Sequence, residues 1–519
     1  MTSSSTTTPN HATHVLVFPY PAQGHMIPLL DLTHQLAKRG LTITILVTPK
    51  NLPFLQPLLS AHNHPNNSIQ TLVIPLPSHP SLPAGFENVK DLPVHSFLAM
   101  MCALGQLHHP LLRWFSSHPN PPVAIISDMF LGWAHRLATQ LGIQRLVFSP
   151  SGALALSVID SLWHRLLKRD DPNDQNQVFS FPEIPNSPKY PWWQLSTVYR
   201  SYVEGDPDSE FIKDGFDANR ASWGLVVNSF TELERVYLEH LKNELGHDRV
   251  WAVGPLLPPD NNDLSGPAQR GGSSSVSVDR IKSWLDACVE DHKVVYVCFG
   301  TQAVLTNRQM EALASGLEKS GVRFVWSVKG PTKGHAEGDY GAVPHGFDDR
   351  VAGRGLVIRG WAPQVFILRH RAVGSFLTHC GWNSVLEAVV AGVPMLAWPM
   401  GADQFSNATL LVDQLKVAVR VCEGAGSVPD LDELARVVAE SVSEKRVERE
   451  RAVELRGAAL EAIKEGGSSV KELDSLVNRL AALEIPAGSR VHRNPPSGLL
   501  LAPTLLTRCR ISCKILKVL

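Results

Sequence analysis

Twice along this chain, short apolar runs of strand type alternate with segments of helical period. No other feature restricts the possible folds as much. The first series opens at residues 14–19 (HVLVFP), turns at 20–24 (YPAQG), and continues as a helix over 25–39 with Leu29, Leu32 and Leu36 on one face. Gly40 is placed to stop that helix, and residues 41–48 form the next strand. Residues 123–126, 145–148 and 224–228 read as further strands, with helices over 132–141 and 232–245. The second series begins at 294–300 and adds strands at 322–328, 356–358, 375–377 and 394–398. Its helices run from an Asn307 cap to Gly321, over 364–369, 384–391 and 404–414, and finally over 430–444 and 448–464. Repeated βαβ units imply parallel sheets.

At 519 residues the chain exceeds one ordinary core and fits two domains of roughly 200–250 residues. The Pro/Gly/Ser/Asn/Asp-rich stretch from Gly254 marks the joint. The expected organisation is a disordered polar tail over 1–13, a first domain over 14–253, a linker over 254–280, a second domain over 281–485, and an atypical tail over 486–519. That last segment carries six basic residues and no acidic one. It reads as a disordered or non-standard extension, with a membrane-associating tail as the alternative. Residues 180–194 read as loop.

A net charge of −1 points to a small-molecule partner rather than nucleic acid or a membrane surface. The odd count of seven cysteines fits reduced thiols in the cytoplasm. Cys509 and Cys513 have no second Cys/His pair beside them, so no zinc site is expected. No secretory signal and no apolar run of about 18 residues is present.

The chemistry concentrates in residues 361–404. Trp361 offers a flat stacking face for a base, and Ala362 offers backbone groups to its edge. Glu387 suits ribose hydroxyls. Asn383 and Ser384 sit where a loop enters a helix, so side chains and amides can meet phosphate oxygens together, with His379 as a further donor. Asp403 and Gln404 open the next helix and can bond sugar hydroxyls. Thr301, after the strand ending at Gly300, can reach a β-phosphate. Singly, each has a plainer reading: a core indole, a solvated carboxylate, a structural imidazole, a turn residue.

A histidine near its neutral pKa is the usual general base, and His25 stands at a strand-to-helix turn, where the helix N-terminus disfavours imidazolium. Asp128 ends a neighbouring strand and can back the ring, as in a hydrolase triad. Carboxyl ends of parallel strands share one edge, so both residues fall beside the ligand crevice.

The segment from Trp361 to Gln404, including Gln364, His370, Gly374, Thr378 to Ser384 with Trp382, Glu387 and Pro394, closely resembles the signature box of plant secondary-product UDP-glycosyltransferases. The resemblance covers about His14 to Leu483 and is nearest to the subgroup acting on flavonols and hydroxybenzoates. It implies two Rossmann-like α/β domains facing across a cleft (the GT-B type). It also implies that Thr301, Trp361, Ala362, Gln364, His379, Trp382, Asn383, Ser384, Glu387, Asp403 and Gln404 hold the UDP-sugar. His25, in Pro-x-x-Gly-His, and Asp128, in Ser-Asp-x-Phe, match the family's dyad for inverting transfer. Gln404 and Trp382 go with glucose, and xylose is the neighbouring possibility. The family uses no metal or other cofactor, so the Asp-x-Asp pairs at 206–208 and 430–432 are not taken as metal sites.

The expected reaction is transfer of glucose from UDP-glucose to a hydroxyl or carboxyl group of a small phenolic, by a monomeric protein. Met129, Phe130, Trp133, Trp192, Trp193 and Tyr199 are candidates for the acceptor pocket. A nicotinamide oxidoreductase is the competing class, and it lacks its Gly-x-Gly-x-x-Gly in the first βαβ unit. A non-catalytic UDP-sugar-binding protein is the other alternative.

Overall fold

The computed structural model describes residues 13–63, 68–92, 96–256, 274–332 and 339–484. The expected tails, apart from residue 13, and most of the expected linker lie outside the described residues. The first sheet contains β1 (His14–Phe18), β2 (Thr42–Val47), β3 (Ile69–Val73), β4 (Ala124–Asp128), β5 (Gln144–Ser149), β6 (Gly224–Val227) and β7 (Val250–Ala252). All its neighbours are parallel, in the order β3-β2-β1-β4-β5-β6-β7. The second sheet contains β8 (Val294–Cys298), β9 (Arg323–Val328), β10 (Gly355–Arg359), β11 (Val373–Thr378), β12 (Met395–Ala397) and β13 (Ala418–Arg420). It is also parallel, in the order β10-β9-β8-β11-β12-β13. Both sheets therefore have doubly wound order, with the reversal at β1/β4 in one and β8/β11 in the other. Ligands bind outside the carboxyl ends of strands at such reversals.

Burial accounts for the arrangement. The strands are apolar on both faces because helices cover both. One face of the first sheet, with Val15, Val17, Ile43 and Ile45, packs on Leu29, Leu32 and Leu36 of helix Gln23–Lys38. The outer core of the second sheet joins Val295 and Val297 to Leu313 and Leu317 and to Leu434 and Val438. A third cluster runs without a break from Leu16 and Ile125 in the first unit to Tyr296 and Val385 in the second.

The sequence reading differs from the structure at several points. Helix Asn307–Ser320 is capped by Thr306, not Asn307. Thr306 and Gln309 form a reciprocal capping box, the pattern Thr-x-x-Gln provides. Residues 180–194 are not simply loop, since Val178–Ser180 and Lys189–Pro191 pair as an antiparallel hairpin. Helix Trp382–Ala391 begins two residues earlier than expected, capped at Gly381. The larger difference is a last helix, Ser468–Ala481, that belongs by packing to the first sheet. Its Leu473, Leu476 and Leu480 are buried against that sheet's core, each worth about 1.5–3 kcal/mol. The expected second domain over 281–485 thus returns its end to the first unit.

One buried pair makes the first unit sensitive to acid. His34 Nδ1 lies 2.8 Å from His62 Nε2, and burial pushes His34 down to about 4, from 6.5. The unfolded chain then binds the proton more readily, so the stability this ring contributes is whole above about pH 6.5 and is lost as pH falls towards 4. The urea midpoint is expected to fall between pH 7 and pH 4.5, and to fall less in His34→Gln.

Candidate active site

In the first unit, the loop after β1 runs into helix Gln23–Lys38, and His25 lies in its first turn. β4, paired with β1, ends on Asp128, whose Oδ1 accepts from Phe130 N at 2.9 Å and so caps the turn Met129–Leu131. The other oxygen, Oδ2, lies 2.9 Å from His25 Nδ1. A carboxylate only accepts, so Nδ1 carries the hydrogen and Nε2 keeps its lone pair. Asp128 is fully buried, while the His25 side chain is 18% exposed. The rings of Phe130, at 4.6 Å, and Tyr20, at 5.4 Å, pack against the imidazole and, at 5.2 Å, against each other.

In the second unit, the corresponding reversal lies between β8 and β11. Thr301 follows β8 and His379 follows β11, and the chain then enters helix Trp382–Ala391. His379 is buried, and burial pushes it down to about 4, so it stays neutral at pH 7. Among the described residues its Nδ1 has no hydrogen-bond partner. Gly300 makes room for the ring: a Cβ there would stand 2.5 Å from His379 Nε2. Trp361 follows β10 and is partly exposed, with Ala362 buried beside it. Gln364 Nε2 donates to Ser384 Oγ at 2.9 Å and to Glu387 Oε2 at 2.7 Å, which joins the three into one polar group.

The two units meet over these residues. Asn383 Nδ2 donates to Gly24 O at 2.9 Å, beside His25. Ser151 hydrogen-bonds the Asp403 carboxyl, which burial pushes up while Ser151, Asn407 and the nearby His25 hold it down. Gln404 accepts from Met400 N and Gly401 N through Oε1, which directs its NH2 group to any further partner. Trp382 is 3% exposed and donates from Nε1 to Asn228 O at 2.6 Å. Its ring lies where a Cβ on Gly152 would stand, at 2.7 Å. The indole is therefore a post between the units. Asn228, Gly152 and Ser151 were not singled out from sequence. The signal available was that Asn228 and Ser151 closely follow strand ends.

The acceptor candidates divide. Met129, Phe130 and Trp133 line, with Met101, Phe211 and Phe216, a cavity of about 10 Å³, and Phe130 also lies against the His25 ring. Trp192 and Tyr199 are instead packing residues of the hairpin region. Trp192 is buried, its ring 4.8 Å from the Arg169 guanidinium and 6.0 Å from the Tyr199 ring. Trp193 reaches across to Phe405 at 5.2 Å.

Of the Asp-x-Asp pairs, Asp206 and Asp430 are helix N-caps. His79, Cys102 and Asp208 form a cluster of metal-ligand types among the described residues. Ser81 N donates to His79 Nδ1, so Nε2 bears the hydrogen and faces Asp208 as a donor, not as a ligand. Among the described residues, no helix is long and apolar enough to cross a membrane.

The family profile described as UDP-glucoronosyl and UDP-glucosyl transferase matches residues 279–447. UDP-glycosyltransferase 89B2 of Stevia rebaudiana is 65% identical over 91% of this chain and 98% of its own length. A flavonol 3-O-glucosyltransferase of Arabidopsis thaliana is 62% identical over 91% of this chain and 97% of its own. The crystal structure of an Arabidopsis thaliana glycosyltransferase complexed with UDP-L-rhamnose superposes with a TM-score of 0.75 at 44% identity, covering 91% of this chain and 99% of that one.

Proposed function

Because the chain belongs to the plant UDP-glycosyltransferase family, we propose that it transfers glucose from UDP-glucose to a hydroxyl of a small phenolic of the flavonol or hydroxybenzoate kind. The observation that carries the reading is the 2.9 Å contact of His25 with a buried Asp128, beside Asn383, which bonds Gly24 O, and near Asp403.

In this reading Trp361 stacks on uracil, Ala362 meets its edge, and Glu387, held by Gln364, takes the ribose hydroxyls. The diphosphate lies at the start of helix Trp382–Ala391, met by Asn383, Ser384, His379 and Thr301. Asp403 and the NH2 group of Gln404 bind the glucose hydroxyls. The acceptor enters beside Met129, Phe130 and Trp133. His25 Nε2 removes the phenolic proton as the oxygen attacks the anomeric carbon. The bond from that carbon to the β-phosphate oxygen breaks, and UDP leaves with the electron pair. Asp128 then faces an imidazolium and stabilises it. One displacement turns an α-linked donor into a β-glucoside. The same dyad disfavours a protein that only binds the UDP-sugar.

A panel of flavonols and hydroxybenzoates tested with UDP-glucose, UDP-xylose, UDP-galactose and UDP-rhamnose checks this. UDP-glucose should be fastest, and the product should show the large anomeric coupling of a β-glucoside. Faster turnover with another sugar would replace glucose, and no turnover with any pair would favour the binding-only reading.

A further inference from the structure

We propose that Arg145 is a positioning residue for the His25–Asp128 pair, fixing the strand end that presents Asp128 and giving that carboxylate a buried counter-charge. The inference rests on the dyad reading above and extends it to a residue that stands near the start of a strand, not at its end.

Arg145 lies on β5, opposite Ile125 of β4. Alternate side chains of a strand share a face, so a long side chain at that register can run along β4 to Ser127. Its Nε donates to Ser127 Oγ at 2.9 Å, and Nη2 donates to Asp128 O at 3.4 Å. Nη1 donates to Asn219 Oδ1 at 2.9 Å, in the last turn of helix Pro207–Arg220, and to Ser222 Oγ at 2.8 Å just beyond it. Asn219 turns its own NH2 group on Met129 O at 2.8 Å. One guanidinium and one amide thus tie Ser127, Asp128 and Met129 in succession. Phe130, the next residue, gives its N–H to the Asp128 carboxylate. With the chain held on both sides of Asp128, its Oδ2 is kept 2.9 Å from His25 Nδ1.

A guanidinium is a costly choice for a tie alone. Arg145 is 1% exposed, and burying an ion costs more than burying an amide or a hydroxyl. What the charge adds is a counterpart to Asp128, which is itself fully buried. Burial pushes Arg145 down to about 9 while Asp128 holds it up, so the two charges act on each other and the guanidinium stays charged at pH 7. Without that cation, burial opposes the ionised acid that an imidazolium needs as its partner.

The test is a double-mutant cycle on kcat, at saturating UDP-glucose and a saturating flavonol that the wild type turns over. The four proteins are wild type, Arg145→Met, Asp128→Asn and the combined variant. With Asp128 in place, Arg145→Met is expected to lower kcat about tenfold or more, since a misplacement of 1 Å can cost about 10²-fold, with KM for UDP-glucose changed less than about threefold. In the Asp128→Asn background the same substitution should cost less than about threefold, because the group that Arg145 serves is already gone. A residue that supports only the fold would lower both backgrounds by the same factor. That result would overturn the proposal, as would an unchanged kcat in Arg145→Met. Asn219→Ala cuts the clamp at one point and leaves the guanidinium in place, so it carries the same cycle should Arg145→Met not fold. Its loss should likewise appear only with Asp128 present, and equal loss in both backgrounds counts against the proposal. Asp128→Asn as fast as wild type would remove the dyad reading, and this proposal with it.

Discussion

Replacing His25 by alanine is expected to lower kcat about 10³-fold or more while leaving the affinity for UDP within about twofold. The first half follows from the 2.9 Å bond to Asp128, which leaves Nε2 as the free lone pair on that ring. The second follows because the ring is held by Asp128, Phe130 and Tyr20, all in the first unit, whereas the nucleotide candidates lie in the second. Asp128→Asn should act almost as strongly for a different reason. Its carbonyl can still take the Phe130 amide, but its NH2 group then points at His25 Nδ1. The ring must present a lone pair there and carry its hydrogen on Nε2, which is the wrong tautomer for a base. Steady-state rates with saturating UDP-glucose, alongside UDP titrations, check both variants. A His25→Ala protein within tenfold of wild type would remove the dyad from the mechanism.

The juxtaposition of His25 and Asp128 was legible in sequence because His25 stands in the turn that follows one strand and Asp128 ends a neighbouring one, and parallel strands gather their carboxyl ends on one edge. The same logic applied to Thr301, whereas Trp361 and His379 were marked by the resemblance of residues 361–404; all three follow strands of the second sheet. Periodicity gave the helical faces, since Leu29, Leu32 and Leu36 must be buried somewhere. It could not say against what. For that reason the helix Ser468–Ala481, packed on the first sheet from the far end of the chain, was not anticipated. Contacts between the units were equally hidden. Trp382 reads as part of the sugar site, yet its indole N–H is held by a backbone carbonyl of the first unit. A backbone acceptor has no side-chain signature. Trp192 and Trp193 are adjacent and look alike in sequence, but one packs inside the hairpin region and the other crosses to Phe405.

A buried carboxylate of the first unit, just behind its contact with the second, predicts the largest loss of stability. Glu234 is fully buried, and its two oxygens accept from Ala153 N at 2.8 Å, Leu154 N at 2.9 Å and Ser229 Oγ at 2.6 Å. Burial pushes its carboxyl up, and those three bonds, at the start of helix Ala153–Arg165, hold it down. In Glu234→Ala the donors stay buried and lose their acceptor. Each orphaned donor costs about 1–3 kcal/mol, and partial relaxation brings the expected total to about 3–5 kcal/mol. Glu234→Gln keeps one carbonyl but sets an NH2 group against an amide N–H or the serine hydroxyl, so it should cost roughly half as much. The consequence reaches the donor site. The loop that Glu234 fixes carries Ser151, which bonds Asp403, and Gly152, which lies against both Glu234 and the Trp382 ring. Glu234→Gln should therefore lower kcat/KM for UDP-glucose more than it lowers the affinity for uridine, because the sugar end of the site is displaced and the Trp361 end is not. Urea unfolding followed by fluorescence, with donor kinetics on the glutamine variant, measures both effects. A glutamine variant of unchanged stability would mean that the three donors find other partners, and this part of the first unit would then be softer than its hydrogen bonds imply.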